Sequence, residues 1–260
     1  DEGAVHLDQF RELLSERTKI VAVTHVSNVL GTVYPIKEMA RLAHQVGAVI
    51  LIDGCQGITH MPVDVRDLDC DFYAFSGHKL YGPSGIGVLY GKAALLEAMP
   101  PYQSGGDMIE RVTFEKSTWA ELPHKFEAGT PAIAQAIGLG AAVDYVSQVG
   151  MAAIAAHEQE LLTYTTQRLA SVPGLRLIGT APGKVSVVSF VMDCAHPHDI
   201  STIIDQTGVA IRAGHHCAQP LIDRFDIPSA ARASFGMYNT VEEADRLVAG
   251  LEKVKEIFAR

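Results

Sequence analysis

Lys79 ends the string Phe75-Ser76-Gly77-His78-Lys79, directly after a run of strand-forming residues. Small and apolar neighbours desolvate an amine, lower its proton affinity and leave it free to form a Schiff base. Read alone, Lys79 is equally an exposed lysine that follows a strand. The next string, Gly82-Pro83-Ser84-Gly85-Ile86-Gly87, reads as a turn that lets the backbone pass close to a ligand. It does not match the dinucleotide fingerprint. A second string, Asp53-Gly54-Cys55-Gln56, stands at the carboxyl end of an apolar run. Ligands of open α/β sheets bind at that end of the strands. A buried Asp53 needs a cationic partner. A protonated pyridine nitrogen is one such partner, and an aspartate there tunes pyridoxal phosphate (PLP) as an electron sink. Gln56 could hydrogen-bond a phenolic oxygen.

Four cysteines, Cys55, Cys70, Cys194 and Cys217, form no C-x-x-C pair and no zinc spacing, so no metal site is expected. Free thiols suit a cytoplasmic chain. Cys217 stands apart in Arg212-Ala213-Gly214-His215-His216-Cys217-Ala218-Gln219-Pro220. A thiolate is the nucleophilic form, and neighbouring positive charge favours it. The other three read as small buried cysteines.

These groups need elements to position them. Lys19 to His25, Ala48 to Asp53 and Phe72 to Ser76 are short apolar runs that predict buried strands. Ile86 to Tyr90 predicts an antiparallel neighbour. Pro35 suits a first helical turn, Ile36, Met39, Ala40, Ala43 and Val46 follow at helical spacing, and Gly47 stops the helix. The pattern predicts a mostly parallel sheet covered on both faces. Pro100 to Gly129 lacks periodicity and reads as a long ordered loop. Helices are predicted from Ala132 to Val149 and from Met151 to Leu169. Strand Val185 to Met192, helix Asp199 to Gln206, and strands Val209 to Arg212 and Ala231 to Phe235 follow. Thr240 and Glu243 form a capping-box pattern at the last helix. A domain boundary is placed near residue 145, dividing 1–145 from 146–260.

Composition sets outer limits. The 260 residues are 48% hydrophobic and 20% charged, with net charge −9. No basic face points to nucleic acid, and no apolar run has the length of a membrane helix. Disorder and a disulfide scaffold are excluded.

Strand-Asp53-x-x-Gln56 followed by strand-Ser76-Gly77-His78-Lys79 resembles the fold-type I PLP enzymes, and within them the class V aminotransferase-like family. The resemblance implies an α/β large domain with a mostly parallel sheet, incomplete at its N-terminus, plus a smaller C-terminal α+β domain. It implies that Lys79 carries the cofactor and that Ser76 and His78 contact its phosphate. Thr24-His25-Val26-Ser27-Asn28-Val29-Leu30-Gly31 resembles the family's T-H-x-S-N-x-x-G segment, which places Asn28 near the phenolic oxygen and the substrate. His25 is equally a core histidine. Gly129-Thr130 resembles a segment that supplies a phosphate contact across a homodimer interface.

The R-x-G-H-H-C-A-x-P string resembles the type II, Suf-like cysteine desulfurases and the selenocysteine lyases. Arg232, in Arg232-Ala233-Ser234, matches the family's R-A-S segment, and a guanidinium grips a carboxylate with two parallel hydrogen bonds. Arg212 could help hold the substrate. The implied reaction takes L-cysteine, or selenocysteine, to alanine. Lys79 moves the α-proton and Cys217 attacks the sulfur, so a persulfide forms on Cys217. A thiol on an acceptor protein then takes the sulfur for purposes such as iron–sulfur assembly. His215 or His216 assists proton movement, and the sequence does not choose between them. Family chains carry a further N-terminal third with a phosphate-binding loop and a ring-stacking histidine. Neither has a counterpart here, so the chain is expected to be part of a longer one. Two other readings stand beside this one. The H-H-C-A segment speaks against a kynureninase-like or transaminase reaction. An inactive module that only binds or dimerises is the non-enzymatic alternative.

Overall fold

A computed structural model describes residues 2–259. The first half holds α1 (Leu7–Leu13), β1 (Ile20–Thr24), α2 (Ile36–Gln45), β2 (Val49–Asp53), α3 (Gly57–His60), α4 (Val65–Leu68), β3 (Phe72–Ser76), β4 (Gly87–Gly91) and α5 (Ala93–Ala98). Hairpin strands β5 (Ile109–Val112) and β6 (Ser117–Trp119) follow. The second half holds α6 (Ile133–Val149), α7 (Met151–Ala170), β7 (Leu175–Ile178), β8 (Val187–Met192), α8 (Pro197–Asp205), β9 (Arg212–Gly214), α9 (Gln219–Arg224), β10 (Ala230–Ser234) and α10 (Val241–Phe258).

β1, β2 and β3 pair in parallel, and β4 closes the sheet antiparallel to β3. One face of the sheet is covered, whereas the other is open at Ile20, 55% exposed, and Leu89, 54% exposed, so the expected cover on both faces is not met among the described residues. Ile50 and Ile52 of β2 are fully buried, and α2 packs Ile36, Met39, Ala40 and Ala43 against them. The register sets Thr24 opposite Asp53 and Asp53 opposite Ala74. The carboxyl ends of all three parallel strands therefore line one edge.

The second sheet is antiparallel, in the order β7-β8-β10-β9. α7, α8 and α10 cover it through Leu169, Phe190, Ile200, Ile204 and Leu251. Glu243 accepts the Thr240 backbone N–H at 2.8 Å, which closes the capping box of α10. Residue 145 lies inside α6. The chain turns instead at Gly150, where φ is 90° and α6 and α7 meet at 73°. Among the described residues, no single helix is long and apolar enough to cross a membrane.

The two halves also share a core. Val29 and Leu30, from the loop after β1, are fully buried against Ile178, Ile222 and Ala230. The carbonyl of Glu2 accepts the backbone N–H groups of Thr180 and Ala181. Segments from the first thirty residues thus fix the second sheet against the first.

Two of the expected segments need correction. The region from Pro100 to Gly129 is not all loop, because β5 and β6 pair as a hairpin. Its few apolar residues, such as exposed Val112, hide the alternation that marks a strand. The strand expected at Val209 to Arg212 lies at Arg212 to Gly214. Its pairing partner β10 sets that register, and the local apolar run does not. In the turn after Lys79, Gly82 and Gly87 also serve internal packing, while Gly85, with φ of 83°, meets no close neighbour. A Cβ at Gly82 would lie 2.9 Å from the Gly77 carbonyl, and one at Gly87 2.7 Å from the Phe75 carbonyl.

Candidate active site

The lysine turn follows β3 as a short 3-10 turn over Gly77–Leu80. Thr59 of α3 donates its hydroxyl to the Lys79 carbonyl at 2.8 Å, and the Gly82 N–H reaches the Gly77 carbonyl at 3.0 Å. The backbone is therefore held at both ends. Lys79 is half-buried, and among the described residues its amine takes part in no ion pair. Ser76 is half-buried, and His78 is exposed.

Asp53 ends β2 beside this turn. Its Oδ1 accepts the Cys55 N–H at 2.9 Å. Asp53 is exposed, contrary to the expectation of a buried carboxylate. It is the last residue of its strand, and nothing in the described chain covers the mouth above it. Cys55 Sγ lies 3.9 Å from Ser76 Oγ, tying the Asp53 loop to the lysine strand. Burial of Cys55 pushes its thiol pKa up. Of the cysteines read as buried, only Cys70 is so. Cys55 is intermediate, and Cys194 is exposed.

His25 is a core residue. It is 3% exposed, with its Nδ1 2.9 Å from Tyr73 Oη and the two rings edge to face. Burial lowers its pKa. Gly54 and Gly57 admit this pair, since a Cβ at Gly54 would fall 1.8 Å from the Tyr73 ring.

The second sheet brings a cationic cluster to the same region. Arg212 and Arg232 are cross-strand partners on β9 and β10. Like charges in that position repel. Desolvation first, and Arg212 second, push the pKa of Arg232 down. Arg232 Nη1 donates to the Asn28 carbonyl at 2.7 Å, while its buried Nε has no partner among the described residues. Asn28 Nδ2 in turn donates to the His216 carbonyl at 2.6 Å. Asn28 thereby joins the loop after β1 to the cysteine loop.

Cys217 is exposed, and Arg212 Nη2 lies 3.6 Å from its Sγ. His216 and Cys217 are both left-handed, with φ of 55° and 61°. Two such residues in succession are costly and need surrounding contacts to hold them. His216 supplies one, since its buried ring meets the Ala230 carbonyl through Nε2 at 3.0 Å. Burial, then Arg232, lower the His216 pKa to about 4, so the ring stays neutral at physiological pH. His215 is exposed, with Nε2 3.0 Å from the Pro228 carbonyl. Of the two histidines, His215 is placed to exchange protons with solvent.

The donor set suits a PLP-type group with an amino-acid substrate. It offers an amine at Lys79, a carboxylate at Asp53, a hydroxyl at Ser76, and two arginines with an orphaned buried N–H. Thr130 is exposed on the loop before α6, away from strand ends. Sequence reading missed His60, Glu158 and Ser186, which are buried together beside Gln56. The four-residue spacing from Gln56 to His60 was a usable signal. Glu158, one charge among several on α7, had none.

An open α/β sheet with a lysine turn at a strand end, joined to a second antiparallel sheet, is the architecture of the PLP-transferase large and small domains. Residues 1–247 match the class-V aminotransferase family. The chain belongs to that family. A cysteine desulfurase of Dickeya dadantii (strain 3937) is 54% identical over 258 residues, 99% of this chain and 62% of that protein. The cysteine desulfurase CsdA (S-sulfonic acid) from Escherichia coli superposes with a TM-score of 0.93 at 41% identity, covering 97% of this chain and 63% of that one. A C-DES mutant with glycine covalently linked to its PLP cofactor superposes with a TM-score of 0.81 at 25% identity, covering 93% and 62%. The chain thus spans less than two thirds of each of these proteins.

Proposed function

We propose that the protein is a PLP-dependent cysteine desulfurase. The observation that carries this reading is the meeting of Arg212, Arg232 and the exposed Cys217 thiol beside the Asn28 loop, which leaves the carboxyl end of β1 in the Lys79 sheet. Bound PLP supplies an electron sink for a carbanion formed at the substrate Cα. Asp53 would hold the positive charge of the ring nitrogen, and Ser76 and His78 would hold the phosphate. Arg232 and Arg212 orient the substrate carboxylate. Lys79 Nζ removes the Cα proton of L-cysteine. Cys217 Sγ, as thiolate, attacks the substrate sulfur. The new S–S bond forms as the substrate S–Cβ bond breaks. The electron pair stays with Cβ, which takes a proton and becomes the methyl group of alanine, and Lys79 returns a proton to Cα.

The exposure of Cys217 supports delivery of its outer sulfur to the thiol of an acceptor protein. Likeness to Suf-type enzymes supports iron–sulfur assembly as the destination, in the cytoplasm. Exposed Ile133, Ile137 and Tyr145 on α6, close to Thr130, support a homodimer. Selenocysteine meets the same arginines, and selenide release with and without Cys217 separates the two substrates.

Borohydride reduction of the intact protein with PLP tests the reading. Label at Lys79, with Cys217→Ala keeping cofactor absorbance and losing persulfide, is the expected result. Label elsewhere, or persulfide persisting in Cys217→Ala, overturns it.

A further inference from the structure

Gln56 stands at the N-cap of α3, and His60 ends that helix. Side chains four residues apart on a helix are neighbours, and His60 Nε2 lies 3.3 Å from Gln56 Oε1. The other ring nitrogen, Nδ1, lies 2.6 Å from Glu158 Oε2 on α7. The same carboxylate oxygen accepts the Ser186 hydroxyl at 2.7 Å, just ahead of β8. His60 is 7% exposed, Glu158 2% and Ser186 1%. Glu158 Oε1 has no hydrogen-bond partner among the described residues. Packing does not call for this arrangement. Apolar replacement of a buried ion pair is often neutral or stabilising, and a half-satisfied buried carboxylate is costly.

We infer that His60 and Glu158 are positioning residues that orient the Gln56 amide toward the cofactor's phenolic oxygen. This rests on the desulfurase reading above. His60 Nε2 faces the Gln56 amide oxygen and donates to it, while Nδ1 lies against the Glu158 carboxyl group. Glu158 fixes the ring plane, as an outer partner fixes a histidine in a metal site. The ring then holds Gln56 by its oxygen. The amide N–H2 takes no part in that bond and is the donor left for the phenolic oxygen. Because Glu158 and Ser186 belong to the second half of the chain, the orientation of Gln56 also depends on how the two sheets are docked.

A pH titration of cofactor absorbance tests this in the PLP-loaded protein. The variants are Glu158→Gln, His60→Asn, Gln56→Ala and the pairwise doubles with Gln56→Ala. Loss of a donor raises the proton affinity of the phenolic oxygen. Each single variant should therefore raise the apparent pKa of the absorbance change by about 0.5 or more. In the Gln56→Ala background, His60→Asn and Glu158→Gln should add nothing. Wild-type absorbance with unshifted variants, or equal shifts in both backgrounds, overturns the inference alone. If His60→Asn does not fold, the Glu158→Gln cycle decides by the same criterion. A wild-type protein without cofactor absorbance overturns the desulfurase reading and this inference with it.

Discussion

Arg212 and Arg232 face each other across the β9–β10 pair, neither takes part in an ion pair among the described residues, and Arg212 also reaches the Cys217 sulfur at 3.6 Å. A folded chain tolerates that repulsion when an anion occupies the site in use. Arg232→Lys keeps the charge but loses the planar fork. The expected result is a fall in kcat/KM for cysteine of roughly 10- to 100-fold, carried mainly by KM. Steady-state kinetics across a range of cysteine concentrations measures it. An unchanged KM would mean that Arg232 serves only to hold the Asn28 loop.

Cys217 holds a left-handed backbone. Glycine adopts that conformation without the Cβ penalty, and alanine does not. Cys217→Gly is therefore expected to exceed Cys217→Ala in stability by about 1 kcal/mol. Both variants should fail to form persulfide. Urea midpoints of the two proteins, compared at equal m-value, check the stability ordering.

His216 is neutral in the fold, with a pKa of about 4 against an ordinary 6.5. Its proton affinity is lower folded than unfolded. Its contribution is fully present above pH 6.5 and is lost as pH falls from 6.5 toward 4, because the unfolded chain binds the extra proton. Unfolding free energy should therefore rise with pH across that window. His216→Asn should flatten the slope, leaving a smaller one from buried His25, which is lowered in the same direction. Equal slopes in the two proteins would remove His216 from the account.

Gly54→Ala tests the close packing behind the Asp53 loop. The new methyl would meet the Tyr73 ring at 1.8 Å, so the ring or the loop must move. Overpacking of this kind costs about 1–3 kcal/mol. Thermal unfolding should show a lower midpoint. Tyr73→Phe, which loses only the bond to His25, should cost less, about 1 kcal/mol.

Much of the first sheet was legible from local pattern. Phe72 to Ser76 is a strand with the bounds its apolar run predicts, and it sits between β2 and β4 with Phe72 and Tyr73 buried. α2 follows from periodicity and from Gly47, and α6 and α7 fall where the sequence reading set them. The hairpin at Ile109 to Trp119 was not legible, because its stability comes from cross-strand pairing and its own composition is polar. The strand at Arg212 was displaced for the same reason.

Sequence by itself determined which chemical groups the chain carries and which loops carry them. Asp53, Lys79 and Cys217 each follow a recognisable local string, and the order of strands places the first two at one sheet edge. Tertiary structure decided the rest. Asp53 is open where burial was expected. His216 is neutral and His215 exposed, a difference set by the Ala230 carbonyl and the depth of the loop. Asn28 joins the two sheets, and His60 reaches Glu158 across 98 positions of chain. The division has a physical reason. Local strings depend on backbone propensity and near neighbours, whereas burial and hydrogen-bond partners depend on which distant segments fold against them.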